Sequence, residues 1–123
     1  MAVVTIDTRD KTPIYAQLER GLRAAMATGR LKAGDQLPTV RQLAVELSIN
    51  ANTVARVYAD LERSGAIETR RGVGSFVSAT ADQARPKKEH DKRLRAFVTR
   101  VLSEAGTHGF SAEEVMQGLK EET

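Results

Sequence analysis

Asn50-Ala51-Asn52-Thr53-Val54-Ala55-Arg56-Val57-Tyr58-Ala59-Asp60-Leu61 is the stretch on which the fold turns. Asn50 can cap a helix by accepting a free backbone amide, and Ile49 before it can staple onto Val54. At 100° per residue Val54, Val57, Tyr58 and Leu61 fall within about 60° of Val54, which makes one face apolar. Asn52 and Arg56 lie about 160° and 200° around from Val54, one turn apart on the opposite face. A helix that docks in the major groove needs this division: an apolar side kept on the protein and polar or basic side chains offered to base edges. Asparagine can pair two hydrogen bonds with adenine, and arginine can pair with guanine or a phosphate.

Working backward, Thr39 and Gln42 have the spacing of a capping box, and Val40, Leu43, Ala44 and Leu47 form the buried side of a short preceding helix. Ser48-Ile49 is the tight break between the two. Leu31 to Pro38, with glycine, aspartate and proline, reads as a connecting loop. Thr12-Pro13 predicts an earlier helix start, Thr12 as the cap and Pro13 as the first helical residue. Ile14, Leu18, Leu22 and Ala25 then repeat at helical spacing, and Gly29 ends the helix.

Working forward, Ser64-Gly65 stops the decisive helix. Ala66–Arg70 and Ser75–Ser78 read as two short strands around the turn Arg71-Gly72-Val73-Gly74. The order helix, helix, turn, helix, hairpin is the layout of a winged helix-turn-helix. Glycine in the wing lets its tip approach a sugar-phosphate backbone, and the adjacent Arg70 and Arg71 suit a phosphate or minor-groove contact. Asn50 and Thr53 stand at a helix N-terminus, which attracts anions. Arg41, on the outward side of the preceding helix, approaches the backbone too.

Ala79 to Pro86 is small, polar and ends in proline, as a linker does. Beyond it Leu94, Phe97, Val98, Val101 and Leu102 repeat at i, i+3, i+4, i+7 and i+8, which predicts a helix. Gly106 to Gly109 breaks it, and Phe110, Ser111 and Glu114 supply a staple, a cap and a capping-box partner for a last helix bearing Val115, Met116 and Leu119. The expected division is a winged domain over 1–79, a linker over 80–88 and a helical tail over 89–123. The fold class is mainly α with a small β-hairpin. The stripe of the tail is too wide for a lone helix in water, so Leu94, Phe97, Val98, Val101, Leu102, Val115, Met116 and Leu119 are expected to hold a homodimer. A two-fold dimer sets two recognition helices about 34 Å apart on an inverted-repeat operator of double-stranded DNA.

Bulk properties agree and narrow the field. The chain has 123 residues, 41% hydrophobic and 28% charged, which is the balance of a folded domain with a short appendage and leaves no room for a large catalytic domain. It has no cysteine, hence no disulfide and no thiolate metal site. No run approaches the roughly 18 apolar residues of a membrane span, and Met1 to Thr5 does not open a secretory signal, so a cytoplasmic protein is expected. His90 and His108 stand in no metal or nucleophile motif; a metal sensor built on them with Asp91 and Glu104 is the minor reading, and neither an enzyme nor a cofactor is expected. A protein-binding winged helix is disfavoured, because such a surface exposes aromatic anchors rather than Asn52, Arg56 and two wing arginines.

The net charge of +3 is unevenly spread: residues 85–100 carry seven bases (Arg85, Lys87, Lys88, Lys92, Arg93, Arg95 and Arg100) against Glu89 and Asp91. A solvated face explains such a run as well as an anionic partner does. The tail is too small to enclose a ligand pocket within one subunit, so a small-molecule effector, of unknown identity, is expected at the dimer interface or between the winged domain and the tail.

From Pro13 to Val77 the chain resembles the DNA-binding domain of the GntR family of bacterial repressors. The resemblance is carried by Pro13-Ile14-Tyr15, Leu31-Lys32-Ala33-Gly34-Asp35-Gln36-Leu37-Pro38-Thr39, Arg41-Gln42-Leu43-Ala44, Asn52-Thr53-Val54, Tyr58-Ala59-Asp60-Leu61-Glu62, Gly65 and Arg71 to Val77, in order. It implies DNA contacts at Arg41, Asn52, Thr53, Arg71 and Gly72. Many members carry arginine directly after Thr-Val; here that position is Ala55, and the role of Arg56 rests on helix geometry. The short helical tail resembles that of the YtrA subfamily, in which it serves dimerisation.

Overall fold

The computed structural model describes residues 4–78 and 87–122. The chain divides into two compact units, Met1–Ala81 and Asp82–Thr123. Residues 79–86, which hold most of the expected linker, lie outside the described residues.

The first unit contains α1 (Ile14–Ala27), α2 (Val40–Leu47), α3 (Ala51–Arg63), β1 (Ile67–Arg70) and β2 (Gly74–Val77). The start of α1 corrects the expectation for Thr12: the N-cap is Pro13, and no side chain caps it. Thr12 is instead held from both sides, its amide donating to Asp10 Oδ1 at 2.8 Å and its carbonyl accepting from Gln17 Nε2 at 2.9 Å. The bond from Thr12 holds the exposed Asp10 carboxyl below its ordinary value.

The α2 capping box is formed in full, with Gln42 N donating to Thr39 Oγ1 at 3.1 Å and Thr39 N to Gln42 Oε1 at 2.9 Å. Ser48 then takes φ 56°, the one positive φ outside glycine among the described residues. That left-handed residue ends α2, and two residues later Asn50 Oδ1 accepts Asn52 N at 2.8 Å to start α3. The tight turn of the helix-turn-helix is therefore made by one strained serine and one cap.

Leu18, Leu22, Leu43, Val54, Val57, Leu61 and Ile67 are fully buried, so the apolar faces of all three helices and the hairpin share one core. Ile49, the expected staple, is partly buried against this core, to which Val54 belongs. Val4, outside the helices, joins it by resting on Gly21, where an added Cβ would come within 2.5 Å of Val4 Cγ1. Ile14 is exposed, so the apolar face of α1 begins in practice at Leu18.

The hairpin is antiparallel with Ile67 opposite Val77 and Arg70 opposite Gly74. Residues 34–37, read from sequence as a plain loop, add to it. Gly34 N donates to Val77 O, Val77 N to Asp35 O and Leu37 N to Ser75 O, each at 2.8 Å, and Gln36 bridges Phe76 in antiparallel sense. Backbone groups that a free loop would leave to water thus brace the outer edge of the wing.

The second unit contains α4 (Lys87–Thr107) and α5 (Ala112–Glu122). Lys87 and Lys88, expected at the end of the linker, are helical. Gly109 at φ 82° closes the turn between the helices, and the Ser111–Glu114 capping box starts α5 with bonds of 3.1 and 3.0 Å. Of the described residues of this unit only Ala105 is buried, while Leu94, Phe97, Val98, Leu102, Met116 and Leu119 are exposed and Val101 and Val115 are half-buried.

Candidate nucleic-acid interface

Asn52 and Arg56 project from the exposed face of α3, opposite the buried Val54, Val57 and Leu61. Among the described residues the Asn52 side-chain amide has no partner, so its donor and acceptor are both free to meet a base edge. Arg56 is exposed but not loose: its Cζ lies over the Tyr15 ring, 3.9 Å from the centroid. Asn50 spends its side-chain oxygen on the cap, which restricts it to support of the helix start and to contacts through its remaining amide. Thr53 is half-buried, and its amide is taken by Asn50 O at 3.0 Å. Arg41, second residue of α2, is exposed.

The wing arginines differ from one another. Arg70 pairs with Glu68 through a 3.0 Å contact and lies over the Phe76 ring at 4.3 Å, so its charge is partly offset and its position held. Arg71 is exposed with no partner among the described residues and stands at the turn itself. Gly72 takes φ 77° with open space around it, as a tip that meets a backbone requires. Val73 beside it is 61% exposed, an apolar tip that no core element covers.

Gln36 fixes this turn. Its Nε2 donates to Val73 O at 3.1 Å, and the path passes so close to Gly74 that an added Cβ would sit 2.7 Å from that nitrogen. The sequence reading gave neither Gln36 nor Tyr15 a role, although both fall inside its family-like motifs. The signal for Tyr15 was an aromatic residue beside the Leu18, Leu22 and Ala25 stripe of α1 rather than on it; for Gln36 it was a polar residue next to the apolar Leu37.

Tyr58, on the buried face of α3, donates its hydroxyl to Pro38 O at 2.7 Å. This ties α3 to the segment that leads into α2. Burial pushes the hydroxyl pKa up to about 12. Among the described residues no group of three or more His, Cys, Asp or Glu side chains could hold a metal ion, and no helix is long and apolar enough to cross a membrane.

These features agree with what the chain is similar to. The profile described as "Bacterial regulatory proteins, gntR family" matches residues 14–77. The HTH-type transcriptional repressor YtrA of Bacillus subtilis is 34% identical over 119 residues, covering 97% of this chain and 91% of that protein. Among solved structures, a GntR family transcriptional regulator from Listeria monocytogenes superposes with a TM-score of 0.63 at 30% identity, covering 91% of this chain and 96% of its own. YtrA from Sulfolobus acidocaldarius, a GntR-family transcription factor, gives 0.61 at 31% identity, covering 83% and 99%. The chain belongs to the gntR family of bacterial regulatory proteins, on its YtrA-like branch, and is a winged helix-turn-helix DNA-binding transcription regulator rather than an enzyme.

Proposed function

We propose that the protein is a repressor that binds an inverted-repeat operator as a homodimer, with α3 in the major groove and the wing at the minor groove. The observation that carries this reading is the joint exposure of the Asn52 and Arg56 face of α3 and the apolar stripe of α4. Asn52 and Arg56 read bases, Arg41, Thr53 and the α3 N-terminus at Asn50 hold phosphates, and Arg70, Arg71 and Gly72 form the wing contact. An apolar groove of about 270 Å³ between α4 and α5 is lined by Phe97, Val98, Val101, Leu102, Ala112, Val115, Met116 and Leu119. Apolar surface of this extent is costly in water, and a second copy related by a two-fold axis would cover it. Derepression by a small molecule needs a ligand that binds one dimer geometry better than another.

Selection of bound fragments from a genomic library at moderate salt tests the proposal. Enrichment of an inverted repeat with half-site centres about one helical turn apart is the expected result. A pool with no enriched sequence, or an enriched single half-site, would overturn it.

A further inference from the structure

Arg56 and Tyr15 come from different helices, α3 and α1, yet the guanidinium lies over the ring with Cζ 3.9 Å from its centroid. Tyr15 is 38% exposed and is not part of the core cluster, unlike Tyr58. The ring thus lies at the margin of the winged unit and outside its core. What it contributes is a platform. A guanidinium that stacks through its face keeps its N–H donors in the plane of the group, at the edges. Among the described residues those edges have no hydrogen-bond or ion-pair partner.

We infer that Tyr15 is a positioning residue for base readout, holding Arg56 in the orientation in which its free edge meets a guanine in the major groove. The inference rests on the reading of α3 as the recognition helix and deepens it. Arg56 lies about 40° around the helix from Asn52 and one turn along, opposite the buried face, where a docked helix comes nearest the groove floor. Paired bonds to guanine O6 and N7 require a planar fork held in one orientation, whereas a phosphate contact tolerates a mobile side chain. A free arginine must give up much rotamer freedom to make the paired contact, and a stacked one has given it up already. The stack also explains why this chain can read from position 56 with alanine at 55: the platform lies on α1, where it meets Arg56.

The test uses the full chain and the operator recovered by selection, together with operators changed at single base pairs. Dissociation constants are measured for the wild type, Tyr15→Phe, Tyr15→Leu, Arg56→Ala, Asn52→Ala and the Tyr15→Leu/Arg56→Ala pair, with thermal melts alongside. Arg56→Ala is expected to remove preference at one G·C pair by about 5- to 150-fold, the range of a paired base contact. Tyr15→Leu should reduce preference at that same pair by about two- to fivefold, the scale of an exposed cation–π contact. Tyr15→Phe, which keeps the ring, should match the wild type, and Tyr15→Leu should add nothing once Arg56 is alanine. Preference between two operators is a ratio, so a general loss of folded protein does not move it.

Equal weakening at every operator by Tyr15→Leu, additivity with Arg56→Ala, or tighter binding by Tyr15→Leu would each overturn the inference. So would an Arg56→Ala protein that keeps every base preference while its salt dependence falls, because Arg56 would then be a phosphate contact. If Asn52→Ala alone relaxes a base position, the recognition helix stands and only the role of Tyr15 falls. If neither Asn52→Ala nor Arg56→Ala alters any preference, the reading of α3 itself fails.

Discussion

The hydroxyl of Tyr58 donates to the carbonyl of Pro38 across 2.7 Å, joining the buried face of α3 to the residue that precedes the α2 cap. Pro38 and Thr39 set where α2 begins, and α2 in turn carries Arg41. One side-chain hydrogen bond therefore couples the two helices on their inner side.

Tyr58→Phe should cost about 0.5–1.5 kcal/mol of stability, the net value of one hydrogen bond. It should also change the alkaline limit. The hydroxyl is raised from its ordinary 10 to about 12 by burial, so the folded protein holds a proton there that the unfolded chain releases. Stability is fully present below pH 10 and declines as pH rises from 10 to about 12. Denaturant melts of the two proteins between pH 8 and 12 check this: the fall over that window should be shallower in the phenylalanine variant.

Gly74 stands at φ 139° with the Gln36 amide 2.7 Å from where a Cβ would be. Gly74→Ala should therefore strain the backbone and displace Gln36 from Val73 O, at a cost of about 1–3 kcal/mol. Gln36→Ala removes only the clamp and should cost about 0.5–1.5 kcal/mol. Both should weaken operator binding by loosening the wing while leaving the α3 base preferences in place. Thermal melts and operator titrations on the two variants separate these effects.

Asn52→Ala should lose about 1–3 kcal/mol on the best operator and relax one base position, as expected when a paired base contact goes. Arg71, with no partner among the described residues, should behave differently from Arg70, which Glu68 already partly offsets. Arg71→Ala should weaken all sequences alike and lower the salt slope by about one; Arg70→Ala should do less of both. Binding measured across a salt series on matched and mismatched duplexes distinguishes the three.

Much of this arrangement was legible in the sequence because local chemistry and tertiary packing agree there. The Thr39–Gln42 and Ser111–Glu114 boxes, the Asn50 cap and the period of Val54, Val57, Tyr58 and Leu61 each act within a turn or two of chain. What was not legible depends on partners distant in sequence. Gln36 meets Val73 and Arg56 meets Tyr15 only once the core has closed. Thr12 looked like a cap because its residue type fits, but Gln17 and Asp10 take its backbone groups instead. Residues 34–37 looked like a loop because glycine and aspartate permit one, and nothing local foretells that β2 lies alongside.

For the proposed homodimer, Phe97→Glu should leave a monomer, because it places a charge within an apolar stripe that the single chain leaves exposed. The winged unit has its own core and should melt as before. Sedimentation at micromolar concentration checks the oligomeric state, and operator titration should show a large loss of affinity as the second half-site goes unused. A variant that still sediments as a dimer would move the interface elsewhere.

The α3 face that carries Asn52 and Arg56 is proposed to read sequence, with the wing adding a contact that holds every sequence alike. The most direct test is a titration of the wild-type chain against the selected operator and a scrambled duplex of equal length, repeated over a salt series. The account predicts that both affinities fall steeply with salt while the operator stays at least about a thousandfold tighter. Two duplexes bound equally well at every salt concentration would contradict it.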